Sequence, residues 1–387
     1  MTSAEAAAGG GTTKVLIVDD QRIIAEAVRR MLLEDPSLEL TWCGEGANAL
    51  ATARELAPDV ILQDLVMPDA DGLDLVTQMR ADPALAVVPL IVLSSKEEPA
   101  TKAEAFARGA NDYLVKLPDK VELVARIRHH AAGYRAQRER DAVWNALRSE
   151  LDKAAAYVLS LLPRPTPAPI AAAWQFEASS SLGGDALGFH WLDDESFAIY
   201  VIDVCGHGVG AALLSVSALN VLNARTLPGV DFRDPGAVLG GLNAAFPMER
   251  QNNMFFTIWY GVYHAPTRRL DYACAAHPAG VLLAPGAEPV QLGQQNLPIG
   301  VMEGIPYERA TTTIPAGSRL VVISDGAFEV QRTDGGELEF DDFVSVVAAA
   351  EGAGPAERAR AIISAVQSIQ GRREFDDDCT LVEVEIA

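Results

Sequence analysis

Polar side chains stand directly after apolar runs in the first third of the chain. Asp19 and Asp20 follow one run, Asp64 a second, Ser94 a third and Lys116 a fourth. If the runs are parallel strands, their carboxyl ends share one crevice and these groups meet there. Three carboxylates form a hard oxygen site suited to Mg²⁺, with Asp64 free to act as a nucleophile toward a phosphoryl group. Lys116 would neutralise the transferred oxygens, and Ser94 would hydrogen-bond the acyl phosphate.

A second group of acidic residues is spread along the C-terminal half of the sequence. Its members are Asp185, Asp203, Asp325 and Asp377, three of them beside glycines that permit close backbone approach. A set of carboxylates without paired His or Cys favours Mg²⁺ or Mn²⁺ over zinc. Two such ions with a bridging aspartate would lower the pKa of a water and hold a phosphate for in-line attack. Each motif alone is weak, and Asp325-Gly326 alone is most simply a turn, so the prediction rests on the order and spacing of all four.

Short apolar runs alternate with helical stretches between Lys14 and about Leu123, which is typical of right-handed βαβ units. The pattern predicts an α/β doubly wound domain, in which the first group of polar residues would meet at the carboxyl ends of the strands. Taken singly, Asp19-Asp20 has an ordinary alternative as a helix cap, and Lys116 as a surface charge. The predicted strands are Val15–Val18, Glu39–Cys43, Val60–Gln63, Leu90–Leu93 and Tyr113–Val115.

A long helical region over residues 120–162 follows, and it ends at Leu162-Pro163-Arg164-Pro165. Its apolar residues step by three and four, which is the a/d spacing of a coiled coil and implies a parallel dimer. The alternative is an amphipathic helix that packs on its own domain. The residues in this spacing are Trp144, Leu147, Leu151, Ala154, Val158 and Leu161.

From Ala171 onward the pattern changes to paired β runs, with helical stretches at about 208–226, 234–246 and 341–370. Strand pairs with inserted helices predict an α+β layered domain, a β-sandwich with flanking helices. The predicted strands are Phe197–Ile202, Phe255–Tyr263, Leu270–Cys274 and Arg319–Ile323.

Charge and cysteine content narrow the classes of function. The chain has 31 Lys and Arg against 53 Asp and Glu, and residues 166–387 hold 12 Arg, no Lys and 28 acidic residues. A surface of this sign disfavours nucleic acid and anionic membranes as partners. Four separated cysteines suggest neither disulfides nor zinc, and we find no membrane-spanning or targeting segment, so a cytoplasmic location is expected.

Residues 14–130 resemble a CheY-like receiver domain of a two-component response regulator. The resemblance implies that Asp64 is the phosphoacceptor, that Asp19, Asp20 and Asp64 bind Mg²⁺, and that a histidine kinase or phosphotransfer protein is a partner. It also assigns switch roles to Ser94, Tyr113 and Lys116. In one departure, Lys116 is followed by Leu117 and then Pro118, whereas most receivers have Lys-Pro directly with a cis bond.

Residues 174–386 resemble the SpoIIE-type branch of the metal-dependent PPM-family Ser/Thr protein phosphatases. The resemblance implies that Asp203 bridges two Mn²⁺ or Mg²⁺ ions and Val204 offers its carbonyl oxygen, with Asp185 on the second ion and Asp325 and Asp377 on the first. Asp203, Asp325 and Asp185 would thus carry the catalysis.

Other positions of this half either match the family or depart from it. Ala276-His277-Pro278 and Leu297–Gly300 match; His277 could protonate a leaving group, although a structural role is the simpler interpretation. The departures are Gly188, where many relatives have an aspartate, and Cys205, where serine is usual. Cys379 lies between acidic residues, which should raise its pKa.

The two resemblances together predict a response regulator whose output is a phosphatase. Residues 1–12 would be a disordered tail, 13–130 the receiver, 131–165 a helical coiled-coil linker and 170–387 the phosphatase domain. In relatives of this type the substrate is a phosphoserine or phosphothreonine of a STAS-domain anti-sigma-factor antagonist, so partner switching is implied. The alternatives are a catalytically silent, receiver-gated binding module and a nucleotide cyclase output, which would need a Lys-containing phosphate loop absent from residues 166–387.

Overall fold

The computed structural model describes residues 12–179 and 182–387. The chain divides into two compact units, residues 1–147 and 148–387. The predicted disordered tail over residues 1–12 lies, apart from Thr12, outside the described residues. No described helix is both long and apolar enough to span a bilayer.

The first unit is built on a five-stranded parallel sheet in the order β2-β1-β3-β4-β5. Apolar residues of these strands are buried on both faces, as expected for a parallel sheet covered by helices. The doubly wound α/β prediction is therefore confirmed. The elements are β1 (Thr13–Val18), α1 (Arg22–Leu32), β2 (Leu38–Cys43), α2 (Ala49–Leu56), β3 (Val60–Asp64), α3 (Gly72–Ala81), β4 (Leu90–Ser94), α4 (Pro99–Ala107), β5 (Asp112–Val115) and α5 (Lys120–Ser160).

Helix α5 begins in the first unit and continues across the boundary at residue 147. Its first part buries Leu123, Ile127 and Ala131 against the parallel sheet. The predicted division at residues 130 and 131 thus falls inside one helix. Farther along α5, Trp144 and Leu147 are 64% and 50% exposed. The coiled coil stays a prediction.

Among its described residues, the second unit contains two five-stranded antiparallel sheets, the end of α5 and four further α-helices. The sheet orders are β13-β10-β9-β8-β7 and β12-β11-β14-β15-β6. The α+β prediction is confirmed at this level. The elements are β6 (Ile170–Glu177), β7 (Ala186–Trp191), β8 (Ser196–Val204), α6 (Val209–Ala224), α7 (Pro235–Ala245), β9 (Phe256–His264), β10 (Arg269–Ala275), β11 (Gly280–Leu283), β12 (Val290–Leu292), β13 (Ala310–Thr313), β14 (Ser318–Ile323), α8 (Phe340–Ala349), α9 (Pro355–Gln370) and β15 (Cys379–Ile386).

One large core contains side chains from both antiparallel sheets, including Trp259 of β9 and Val382 of β15. Helices α6 and α7 pack against the first sheet, and α9 packs against β6 and β15 of the second. Asp203 and Val204 end β8, whereas Asp325 and Asp377 lie just outside β14 and β15. The two sheets thus supply different parts of the acidic set.

The helical stretch predicted at about 341–370 is divided in the structure. Two helices lie there, α8 and α9, separated by residues 350–354. Pro355 begins α9, where its missing N–H costs nothing, and it could not occupy a helix interior. Gly352 and Gly354 in the preceding segment add to the break because glycine disfavours helix.

Candidate functional site

The first candidate site lies at the carboxyl ends of β1 and β3. Asp19, Asp20 and Asp64 each offer an oxygen, and these atoms lie within 4.8 Å of one another. Lys116, which follows β5, places its Nζ 2.8 Å from Asp19 Oδ2 and 2.7 Å from Asp64 Oδ2. Burial raises the pKa of Asp19, and the hydrogen bond from Lys116 opposes this rise. The predicted trio and lysine do come together.

Local backbone contacts hold these carboxylates in place. The nitrogen of Gln21 donates to Asp19 Oδ1 at 2.9 Å, and the nitrogen of Val66 donates to Asp64 Oδ1 at 3.3 Å. Among the described residues no donor reaches the buried Oδ1 of Asp20. An unpartnered carboxylate oxygen beside two buried carboxylates fits a hard divalent cation, whose ligands are oxygens.

The predicted switch residues surround this pocket. Ser94 ends β4, next to the strand of Asp64, and its buried hydroxyl accepts a hydrogen bond from the nitrogen of Lys96 at 3.2 Å. The Tyr113 ring is buried, and its hydroxyl donates to the carbonyl of Lys96 at 2.6 Å. Both side chains therefore contact the same residue of the loop after β4. The peptide bond between Lys116 and Leu117 is cis.

The second candidate site gathers residues from four segments of the second unit. Asp185 precedes β7 and lies next to the end of β8, because Ala186 pairs with Ile202 in the antiparallel register. Asp325 follows β14, and Asp377 precedes β15. Since β14 and β15 pair, with Ile323 opposite Leu381, these two aspartates belong to one end of the second sheet. Asp185 is 2% exposed, Asp203 and Asp325 are half-buried, and Asp377 is exposed.

The carboxylates of this site act on one another electrostatically. Burial, reinforced by Asp325, Asp377 and Asp378, raises the pKa of Asp203 to about 7. Burial, reinforced by Glu329 and Asp377, raises the pKa of Asp325 to about 6. Buried carboxylates that repel one another need compensation, which a divalent cation would supply.

Asp185 is the deepest member of the set. Burial and then the charge of Asp203 raise its pKa, while the hydroxyls of Thr380 and Ser324 lower it. Among the described residues, no donor stands in hydrogen-bond geometry to Asp185 Oδ2. No three of the described aspartates of this site bring their oxygens within 4.8 Å of one another, so the set is more open than the first one. Its all-carboxylate chemistry fits oxygen-preferring ions.

Glycines allow the backbone to close around this site. A Cβ on Gly184 would lie 2.9 Å from the carbonyl oxygen of Val204, the predicted backbone ligand. A Cβ on Gly326 would lie 2.2 Å from the carbonyl oxygen of Asp378. Both approaches are closer than a side chain permits, so each glycine is required by its neighbour's backbone.

Sequence reasoning missed Asp378. It is 3% exposed, and it accepts hydrogen bonds from Ser179 and from the backbone of Gly184. Ser324 was also missed; its hydroxyl donates to the Asp378 carbonyl at 3.2 Å and accepts from the nitrogen of Thr380 at 2.9 Å. The run Asp376-Asp377-Asp378 marked the place, but only burial distinguishes its third member from the exposed first two.

The departures from the expected family pattern have local explanations. A Cβ on Gly188 would lie 2.2 Å from the ring of Tyr200, its partner on β8, so an aspartate does not fit there. Cys205 is half-buried, and its sulfur accepts a hydrogen bond from the nitrogen of Phe255 at 3.2 Å. The pKa of Cys379 is raised as predicted, first by burial and then by Asp185 and other acidic neighbours.

The two other family-like segments lie close to the strands of the site. His277 is 6% exposed, so its ring does not face solvent as a proton donor to a substrate would. Ile299 pairs with Phe256, the residue opposite Val204 on β9. The segment Leu297–Gly300 is therefore packed beside the strand pair that carries the predicted ligands.

Comparison with known proteins matches two family models. The stage II sporulation protein E (SpoIIE) model covers residues 193–387, and the response regulator receiver domain model covers residues 15–128. The response regulator MtrA of Mycobacterium tuberculosis H37Rv is 35% identical over 110 residues, which are 28% of this chain and 46% of MtrA. The phosphoserine phosphatase RsbP of Bacillus subtilis is 25% identical over 158 residues, 40% of this chain and 38% of RsbP. The chain thus spans less than half the length of these curated relatives.

Solved structures resemble the C-terminal part. The SiaA-PP2C domain of Pseudomonas aeruginosa has a TM-score of 0.57 at 19% identity, covering 64% of this chain and 99% of that domain. The PP2C phosphatase domain of SpoIIE from Bacillus subtilis, with a fragment of its regulatory domain, has a TM-score of 0.50 at 18% identity, covering 58% and 64%. At these identities the likeness establishes the fold.

Proposed function

The chain belongs to the SpoIIE family and also carries a response regulator receiver domain, and from this premise we propose that it is a receiver-controlled, metal-dependent protein serine/threonine phosphatase. Phosphorylation of Asp64 would control hydrolysis at the C-terminal acidic site. The observation that carries the proposal is the gathering of four aspartates at neighbouring strand ends in a partly buried, all-carboxylate set, in which burial and acidic neighbours raise the pKa values of Asp203 and Asp325.

The family resemblance supplies the roles of the acidic residues, and their depths agree with them. Asp203 lies among the others and would bridge two Mn²⁺ or Mg²⁺ ions, with the Val204 carbonyl beside it. Asp185, the most buried of the four, would hold the second ion, and Asp325 and Asp377 would hold the first. When bound, such ions supply a water of lowered pKa and neutralise the oxygens of a phosphate. The carboxylates themselves orient the ions and need no protein nucleophile.

Exposure of the site favours a protein substrate. Asp377 is exposed and Asp203 half-buried, so a phosphorylated side chain on a folded partner can reach the set. RsbP, a relative of this chain, is named a phosphoserine phosphatase. We extend this to phosphoserine or phosphothreonine on a STAS-domain anti-sigma-factor antagonist, in a partner-switching pathway.

The receiver site supplies the input. Lys116 already bridges Asp19 and Asp64, so it is placed to neutralise a phosphoryl group on Asp64. Mg²⁺ would be held by Asp19, Asp20 and Asp64, and Ser94 and Tyr113 would respond to the acyl phosphate. The phosphoryl donor would be a histidine kinase or phosphotransfer protein.

Helix α5 would pass the signal on through a homodimer. Its exposed part carries large apolar side chains in a/d spacing, among them Trp144 and Leu147. We propose that a second copy of the chain covers this stripe. The acidic C-terminal region disfavours nucleic acid and anionic membranes as partners, and four free cysteines fit a reducing cytoplasm.

Hydrolysis of an aryl phosphate by the full chain with Mn²⁺ tests the enzyme. We expect activity that Asp203→Asn and Asp377→Asn abolish and that Asp376→Asn, in the exposed neighbouring carboxylate, retains. Beryllofluoride should change the rate in the wild type but leave Asp64→Asn unaffected. A phosphorylated STAS-domain protein then tests the substrate class. If no variant differs from the wild type, the chain is instead a receiver-gated binding module.

A further inference from the structure

His277 holds a residue of the strand beside the acidic site. It follows β10, its ring is buried, and its Nδ1 lies 2.7 Å from the hydroxyl oxygen of Thr257 on β9. Among the described residues, no hydrogen-bond partner reaches its buried Nε2. Thr257 is therefore the side chain that the ring holds in place.

The residue that His277 holds is the direct neighbour of a proposed ligand. Thr257 stands opposite Asp203 in the antiparallel register of β8 and β9. Directly opposed residues point to the same face, with their Cβ atoms about 5 Å apart. The imidazole therefore touches the cross-strand partner of Asp203.

We propose that His277 is a positioning residue that, through Thr257, sets the position of Asp203 and so the affinity of the site for divalent cations. This inference rests on the proposed function, because it assigns Asp203 to the metal site. His277 touches neither substrate nor ion; it acts on strand β9. Residues that support metal ligands without binding the metal typically change metal affinity by about 10- to 100-fold when they are substituted.

Substitutions that remove or keep the hydroxyl of Thr257 test its hydrogen bond with His277 most directly. Thr257→Val keeps the shape and removes the hydroxyl, whereas Thr257→Ser keeps the hydroxyl. At the ring, His277→Asn places an amide near the position of Nδ1, and His277→Gln places it near Nε2. We expect Thr257→Val and His277→Gln to weaken Mn²⁺ binding about 10-fold or more. Thr257→Ser and His277→Asn should stay within about 3-fold of the wild type, the usual scatter between contexts.

Mn²⁺ binding to the full chain, followed by calorimetry, is the measurement. An Asp20→Asn background weakens the receiver site, so that the remaining binding reports the C-terminal one. The double variant Thr257→Val/His277→Gln should bind no more weakly than either single variant, because both remove the same contact. Melting temperatures without metal show whether each variant is folded.

Two results would overturn the inference. One is a folded Thr257→Val protein with the Mn²⁺ affinity of the wild type. The other is His277→Gln that lowers the metal-free melting temperature but leaves Mn²⁺ affinity unchanged, which would make the ring a core residue only. If the wild type shows no Mn²⁺ binding that depends on Asp203, the proposed function itself fails, and this outcome is distinct from both.

Discussion

Asp378 accepts a hydrogen bond from the backbone nitrogen of Gly184 at 2.6 Å, although the two residues lie 194 positions apart. Its other carboxylate oxygen accepts bonds from the nitrogen and hydroxyl of Ser179, at 2.9 and 3.0 Å. The side chain thus ties the start of β15 to the loop before Asp185. It is a buried acceptor with three donors and contributes to the site by fixing the backbone.

Removal of this carboxylate should destabilise the second unit. Asp378→Ala leaves the donors of Ser179 and Gly184 without acceptors, and we expect the free energy of unfolding to fall by about 3 kcal/mol. Urea denaturation of the full chain measures this. Asp376→Ala is the control, because its exposed side chain only pairs with Arg372 on the surface. Equal unfolding midpoints for the two variants would contradict the role given to Asp378.

Enlarging Gly188 should be costly. Its position on β7 faces the ring of Tyr200, whose hydroxyl donates to Asn223 at 2.6 Å and cannot move freely. We expect Gly188→Ala to lower the free energy of unfolding by about 1–3 kcal/mol, and Gly188→Asp by more. Gly188→Asp should therefore not improve metal binding, although the family resemblance leads us to expect an aspartate there.

The control for this prediction is Gly240→Ala in α7. A Cβ there meets no atom within 4 Å, and alanine favours helix by about 1 kcal/mol over glycine. Thermal unfolding should show opposite shifts for Gly188→Ala and Gly240→Ala. A Gly188→Ala protein as stable as the wild type would mean that Tyr200 yields without cost.

The stability of the receiver should depend on pH through Asp112. Burial raises the pKa of this carboxyl, but hydrogen bonds from Arg126, His130 and the Tyr113 nitrogen outweigh burial and hold it below its usual value. A lowered pKa contributes stability that is present above the unfolded value, near 4, and is lost as the pH falls through the folded one. Asp112→Asn should therefore lower the melting temperature at pH 7.

The same substitution should matter progressively less as the pH falls below about 4, where the carboxyl of the unfolded chain takes up its proton, and the difference should vanish once the pH is below the lowered pKa of the folded state. Melting curves of the wild type and of Asp112→Asn between pH 7 and about pH 2.5 follow this convergence. Asp141→Asn, in an exposed carboxylate on α5, is the control and should differ little from the wild type throughout. A gap between wild type and Asp112→Asn that stays constant with pH would refute the assignment.

The receiver was predictable because its strands are buried on both faces and read as continuous apolar runs. The sequence alone indicates strands at Val15–Val18 and Leu90–Leu93, without knowledge of the tertiary structure. Their carboxyl ends then place Asp19 and Asp64 in one crevice by topology alone. Local pattern and global fold agree here, so the candidate site followed from the sequence.

The second unit was harder to predict, because only four of the ten strands that the structure describes there were expected. Strand β6 begins Ile170-Ala171-Ala172-Ala173, and alanine has little preference for strands. Strand β15 carries Glu383, which is fully buried, and its charge is met by Arg319 and Arg358 at 2.9 and 2.5 Å. A buried charge interrupts the apolar pattern, and its partners become visible only in the fold.

The last prediction concerns Ala276, the residue before His277. Its φ of +51° lies in the left-handed region, which costs an alanine about 1–2 kcal/mol but a glycine almost nothing. Part of that gain is offset because glycine is more flexible when unfolded, so we expect Ala276→Gly to raise the free energy of unfolding by up to about 1 kcal/mol. Urea denaturation measures the change, with Ala132→Gly in α5 as the control that should lose about 1 kcal/mol.

The same variant has an expected effect on metal binding. The backbone conformation at Ala276 determines the direction of the following residue, His277. A stabilised Ala276→Gly protein that retains this conformation should therefore keep the Mn²⁺ affinity of the wild type. A loss of stability would mean that the Cβ of Ala276 contributes packing that outweighs the strain.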